Sequence, residues 1–411
     1  MGELRQKLSL AALALVSAGG PDVVRAEQSP WELDTSFLSY VEADDRVSVS
    51  KTLANLTRLQ ENGSVSVNLV HDTMSGASPT GAIRSSESAV TFTSASGGGG
   101  VNTDSGGDYS KGYFEDTRVQ AGLAVQRDYR SDLAFNFGGT VSQESDYDSY
   151  GVDIGVTKES RNRLTTYTAG LAYTTDSIYR SDTGGTPEPL SNIRLDRPFT
   201  EGTRTTVNTL LGVTRVLNKR TLAQFNVSVG LSNGYHSDPY KIISAADEEN
   251  RIVANFHDSR PESRIRTTAY AQLVHELTGS KNTMRVSYRL YRDDWGVASH
   301  TGVFRYRHEL TDKQYLEPHV RVYWQNEADF YQRKLNVDEG LNPILPESGF
   351  VSSDYRLDSM SSVTFGVKYG VSLTNNAQLR FRAEYLKQSF SSAEYDSNRA
   401  VILQTSFRYR F

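Results

Sequence analysis

The chain has no cysteine among its 411 residues. That removes disulfide frameworks, thiolate chemistry and a lipoprotein attachment site at once. Apolar residues are also scarce, at 37% with a mean hydropathy of −0.50, so a bundle of membrane-spanning helices is excluded. A transmembrane barrel is not excluded, because its strands show only alternate residues to lipid. The net charge of −5 leaves no nucleic-acid footprint. No Ser-His-Asp arrangement sits in a supporting context, and there is no P-loop, HExxH or dinucleotide fingerprint. Neither an enzymatic activity nor a cofactor is therefore expected.

Aromatic residues and glycine are plentiful, with 23 Tyr, 16 Phe and 32 Gly. Barrels need both, aromatics for interfacial girdles and small residues where strands crowd. The clearest alternation lies in the last eleven residues. Val401, Leu403, Thr405, Phe407, Tyr409 and Phe411 fall on one face, with Ile402, Gln404, Ser406, Arg408 and Arg410 on the other. A period of two with aromatics on one side and arginines on the other suits a strand between lipid and water. A closing strand ending in Phe resembles the C-terminal signature that the bacterial barrel assembly machinery reads. About sixteen segments share the alternation, among them Thr205 to Val216, Thr221 to Asn233 and Ser362 to Val371.

The connections alternate too. Tight turns are expected at Asn62-Gly63, Tyr129-Arg130, Ser160-Arg161, Asn218-Lys219, Gly279-Ser280, Asp312-Lys313 and Asn375-Asn376. Between them fall long polar links at Thr73 to Tyr113, Asp176 to Gly202, Gly234 to Glu262, Glu327 to Asp354 and Ser389 to Asn398. Short turns at one end and long loops at the other are the habit of outer-membrane barrels, with the turns periplasmic and the loops extracellular. At the N-terminus, Arg5 and Lys7 precede the apolar run Leu8 to Ala18 and a small-residue site after Ala26. That pattern predicts a signal peptide over residues 1–26. The expectation is an all-β, antiparallel transmembrane barrel over 27–411, embedded in the outer-membrane lipid of a Gram-negative bacterium.

Two constellations bear on function. With the apolar face outward, Arg264, Arg266, Arg285, Arg289, Arg305, Arg307, Arg321, Arg380, Arg382, Arg408 and Arg410 all point inward. Arginine is always charged and forked, so such a wall suits a pore for an anionic solute. The same arginines could instead pair with inward acids such as Glu276, Glu309, Glu317 and Glu384 and brace a filled interior. Near the first hairpin, Asp44 and Asp45 are expected to meet His71 and Asp72 at the rim. Four such groups could bind a divalent cation or activate water, though Asp at a hairpin tip is also ordinary turn chemistry.

The strings EADDRV (Glu42 to Val47), DTMSGASPTGA (Asp72 to Ala82), FEDTR (Phe114 to Arg118) and RYRF (Arg408 to Phe411) resemble a family of bacterial outer-membrane proteins of unknown function. The resemblance implies a barrel often encoded beside a periplasmic flavin transferase and a thioredoxin-like protein. It therefore implies a possible periplasmic redox partner, and it carries over no catalytic residue. The expected role is porin-like passage of a small polar or anionic solute through a monomeric barrel. The alternatives are a plugged structural barrel that docks a redox or flavin-linked partner, and a hydrolase or metal site at the rim.

Overall fold

In the computed structural model, residues 31–44, 46–83, 91–93, 99–101, 111–181, 183–193, 199–391 and 396–411 are described. The expected signal peptide and Asp45 lie outside them. The strands are β1 (Trp31–Glu42), β2 (Val47–Gln60), β3 (Gly63–Pro79), β4 (Thr91–Thr93), β5 (Gly99–Val101), β6 (Lys111–Arg130), β7 (Leu133–Gln143), β8 (Tyr147–Glu159), β9 (Thr165–Ile178) and β10 (Gly202–Asn218). They continue with β11 (Thr221–Gly234), β12 (Ile242–Ala246), β13 (Ile252–His257), β14 (Ser263–Glu276), β15 (Thr283–Asp293), β16 (Ala298–Thr311), β17 (Gln314–Gln325), β18 (Met360–Ser372), β19 (Ala377–Phe390) and β20 (Ser397–Arg410).

Sixteen of these strands close into one ring, in the order β1-β2-β3-β6-β7-β8-β9-β10-β11-β14-β15-β16-β17-β18-β19-β20. Closure is made by β1 and β20, antiparallel from Glu32↔Arg410 to Glu42↔Ala400. A closed ring leaves no unpaired edge, the condition for crossing hydrocarbon with strands. The alternation read from the sequence is the alternation of exposure. Phe37, Leu69, Val152, Leu211, Phe365 and Leu403 are all exposed on the outer surface. Their sequence neighbours turn inward and are mostly half-buried.

At one end the strands are joined by tight connections. Only Glu61 and Asn62 separate β2 from β3, only Lys219 and Arg220 separate β10 from β11, and only Asp312 and Lys313 separate β16 from β17. The turn expected at Tyr129-Arg130 lies two residues later, at Ser131 and Asp132, because β6 runs on to Arg130. At the other end are the long connections, including 179–201, 235–262 and 326–359. One of them is shorter than expected. Instead of leaving the wall at Thr73, β3 continues to Pro79 and pairs with β6 as far as Pro79↔Lys111. The SGASPTGA string is thus mostly strand, entering a loop only after Pro79. Gly76 permits this with a φ of 135°, since a Cβ there would meet the Arg46 carbonyl oxygen at 1.7 Å.

Candidate functional site

The ring sorts the inner wall into two halves. From β7 to β11 many inward positions are small or uncharged, such as Asn136, Thr140, Gly151, Gly155, Gly170, Asn208, Gly212, Asn226, Ser228 and Gly230, with Asp153 and the Arg204–Asp176 pair as charged exceptions. From β14 round to β20 they carry the arginines. All eleven arginines singled out in the sequence sit on the face opposite the exposed apolar residues. Six of them reach a carboxylate: Arg264 to Asp293, Arg307 to Glu309, Arg380 and Arg408 to Asp34, Arg382 to Glu384, and Arg410 to Glu32. The inward acids divide their attention. Glu317 pairs with Lys368 at 2.9 Å, and Glu384 also accepts from His319 Nε2 at 2.7 Å. Glu276 has no ion pair among the described residues.

Above the lumen the long connections form a cap with its own core. The hairpin β12–β13 places Ile243, Ala245, Ala254 and Phe256 against Leu335 and Val351, with Leu190 and Val337 packed alongside. Residues from three separate connections thus share one apolar nucleus. A second nucleus joins Trp295 and Val297 to Ala328, Phe330 and Leu357. Trp295 is fixed there by donating its Nε1–H to the Ser263 carbonyl at 2.9 Å, with the Arg264 guanidinium 4.0 Å from its ring centroid.

The cap is also cross-braced by charge. Arg260 bridges Asp258 at 2.6 Å and Asp354 at 2.8 Å, while Arg356 bridges Asp354 at 2.5 Å and Asp238 at 2.6 Å. Burial alone would raise the Asp354 carboxyl, but Arg356, Arg260 and Lys241 hold it well below the usual carboxylate range. Asp238 is depressed against its burial by the same three cations, Arg356 foremost. Lys241 donates its ammonium to the Pro79 carbonyl, and the Ile242 amide donates to Thr80 at 2.9 Å. Since β3 and β11 lie six places apart in the ring of sixteen, the connection after β11 reaches across the mouth to grip the far rim. Sequence reading missed this cap entirely.

Of the rim cluster expected from Asp44, Asp45, His71 and Asp72, Asp45 lies outside the described residues and the other three do not come together. His71 and Asp72 are neighbours on one strand, so the pleat sends them to opposite faces of the wall. His71 is exposed on the outer face, whereas Asp72 is buried inside and held by Arg118 at 2.7 Å and Lys51 at 3.6 Å. Seven further residues of β3 separate Asp72 from the strand end. Asp44 stays in its turn with a φ of 61°, which is turn chemistry.

An acidic group that the sequence did not flag lies beside the cap. Asp116, Glu144 and Asp146 bring one oxygen each within 4.8 Å of one another. Burial pushes the Glu144 carboxyl up to about 8, against the pull of Arg118 and with the repulsion of Asp116 and Asp146. Burial likewise raises Asp146 to about 6, with Tyr240 of the cap as its hydrogen-bond partner pulling the other way. The uncharged form of Glu144 is the one that suits the folded turn. Its contribution is complete below its ordinary value of 4.5 and is lost as pH rises through about 8. Proteolytic nicking of the β7–β8 turn is therefore expected to accelerate as pH rises from about 5 to about 8 and to level off above that, relative to a distant loop, and Glu144→Gln should flatten that dependence. An identical profile in the variant would show that another group sets it.

A closed sixteen-stranded antiparallel ring, apolar outside and charged within, defines a β-barrel of the outer-membrane type. Among solved structures, one described as a bacterial polysaccharide outer membrane secretin is similar with a TM-score of 0.50 at 9% identity, covering 94% of this chain and all of that one. A monoaromatic hydrocarbon channel, CymD, is more distant, with a TM-score of 0.40 at 7% identity over 93% of this chain and 89% of its own. The toluene transporter TodX of Pseudomonas putida gives 0.39 at 10% identity over 94% and 90%. No curated protein matches the chain. The chain belongs to the family described as protein of unknown function (DUF3570), whose model matches residues 5–402.

Proposed function

We propose that the protein is a porin-like passage in the outer membrane, admitting a small polar or anionic solute past a cap that narrows its mouth. The carrying observation is the two-sided inner wall: small residues such as Gly155, Gly170 and Gly212 face a wall of arginines, which leaves hydrated space beside a surface of positive charge. Short turns at one end and long connections at the other support an extracellular cap, since barrels of this type keep their long loops on that side. The printed descriptions of the similar structures, a polysaccharide secretin and hydrocarbon transporters, are consistent with passage and name no solute for this chain.

Reconstitution in planar bilayers is expected to give stable conductance that prefers chloride over potassium. A membrane that stays silent at every voltage would overturn passage. It would then favour the sealed structural barrel, for which the cross-braced cap is the supporting observation. That reading expects a periplasmic partner to copurify and to be lost when turn residues such as Lys219 or Lys313 are changed.

A further inference from the structure

Four of the inward arginines differ from the rest. Arg285, Arg289, Arg305 and Arg321 have no carboxylate within ion-pair distance among the described residues, although Glu309 and Glu317 sit on the same strands and serve other cations. Arg266, the remaining one of the eleven, has contacts of its own. The four are not scattered. They occupy three consecutive strands, β15, β16 and β17, in one patch.

The register fixes their spacing. Arg285 and Arg305 are direct Cα partners across β15 and β16, and Arg305 faces His319 across β16 and β17. Arg321 lies two residues past His319 toward the cap, about 7 Å along the wall, and Arg289 lies four residues past Arg285, about 13 Å. Like charges directly opposite on a sheet repel. Aromatic faces take up part of the load, with Arg289 at 5.8 Å from the Tyr270 ring and Arg321 at 5.9 Å from Tyr323. Among the described residues no such contact serves Arg285, and Arg285 is exposed to the lumen.

Next to Arg305 the wall holds a cavity of about 190 Å³, lined also by His319, Lys368, Arg380 and Arg382, with Glu317 as its acid. Arg380 and Arg382 each keep a buried Nε–H with no acceptor. Buried donors without acceptors are costly. Unpaired cations in the wall and unmet donors in the adjoining cavity call for the same complement, an oxyanion with several acceptor oxygens.

We infer that this patch is a binding site for a small solute carrying two or more oxyanion groups, such as a dicarboxylate or a phosphate ester. One group sits between Arg285 and Arg305, which are direct partners across β15 and β16. The second reaches Arg321 on the cap side or the Arg380 and Arg382 donors in the cavity. A monoanion satisfies only one of these positions, so the site selects by number of charges as well as by sign. The inference rests on the hydrated lumen proposed above, since a filled interior would admit no solute.

Isothermal titration of the detergent-solubilised protein with succinate, citrate, inorganic phosphate and acetate, at low ionic strength, tests it without requiring conductance. Succinate or citrate is expected to bind at least tenfold tighter than acetate, and phosphate against succinate tells which oxyanion is preferred. The double variant Arg285→Gln/Arg305→Gln should lose that binding at least tenfold. Lys281→Gln/Lys313→Gln, which removes the same charge from exposed turns, should leave it unchanged. If the double variant fails to fold, Arg321→Gln decides, by lowering the succinate-to-acetate ratio. Equal binding of acetate and succinate, or undiminished binding in the Arg285/Arg305 variant, overturns the site. Conductance without succinate binding would sink the site and keep the passage, whereas binding in a barrel that never conducts would do the reverse.

Discussion

Replacing Asp354 with alanine is expected to raise single-channel conductance severalfold and to expose the connection over residues 235–262 to protease. Asp354 is only 1% exposed and receives two arginines from two different connections. Its loss leaves Arg260 and Arg356 without their shared anion, and breaking a buried pair in this way costs roughly 3–5 kcal/mol. That cost falls on the cap alone. Asp354, Arg260 and Arg356 all lie in connections, and the ladder of the barrel does not depend on them. Folding of the barrel, read as heat-modifiable migration in a gel, should therefore be unchanged. Asp354→Asn keeps the volume and some acceptor capacity and is expected to fall between wild type and alanine. The pH behaviour has a definite sign. Because the folded Asp354 carboxyl is depressed, its stabilising effect is present above its ordinary value of 3.8 and is lost only as pH falls below that range. The wild-type cap should thus stay closed through mild acid. Unchanged conductance and unchanged protease resistance in the alanine variant would show that the cap is held by something else.

Much of the barrel was legible in the sequence because a barrel strand is a local pattern. Phe225, Val227, Val229 and Leu231 alternate with Gln224, Asn226, Ser228 and Gly230 within one stretch, and lipid on one side makes the pattern binary. The closed ring of sixteen strands agrees with the count made from that pattern. Boundaries were less legible where polar residues continue a strand beyond the hydrocarbon. Thr73 to Pro79 reads as loop by composition, yet its ladder to β6 is complete. His71 and Asp72 were grouped by proximity in sequence, the very relation that a pleat turns into opposition.

The inner wall was legible by direction and illegible by partner. Which side Arg305 or Arg380 faces follows from parity. Whether it meets an acid depends on register between strands distant in sequence, as with Arg380 and Asp34, 346 positions apart. Glu317 illustrates the difficulty, since the sequence offered it to an arginine and the register gives it to Lys368. The cap is the extreme case. Ile242 to Ala246 and Ile252 to His257 are short apolar runs inside a polar connection, and their partners Leu335 and Val351 lie some eighty or more residues away in another one. No local period announces such a nucleus.

That separation between a local barrel and a long-range cap has a consequence that can be measured. Replacing residues 242–257 with a short Gly-Ser turn removes β12 and β13 together with Ile243, Ala245, Ala254 and Phe256, four of the six buried members of the nucleus. Leu335 and Val351 are then left exposed, and the Ile242 to Thr80 bond across the mouth is lost. Truncating a single large core side chain costs about 2–5 kcal/mol, so removing Ile243 and Phe256 together, with the backbone that carries them, exceeds what the ionic brace alone can restore. Asp238 and Asp258 remain to grip Arg356 and Arg260, but the segment that carried them over the mouth is gone. The barrel should survive, because β12 and β13 pair with each other and, among the described residues, form β-bridges only to Leu335 and Asn192 in other connections, and neither joins the ring. Conductance is expected to rise further than for Asp354→Ala, approaching that of an uncapped barrel, and Asp354→Ala should add little on top of the deletion. Full additivity of the two changes would mean that the hairpin and the ionic brace act on different constrictions. A deletion variant that folds and conducts like wild type would place the narrowest point below the cap, among the arginines of the wall.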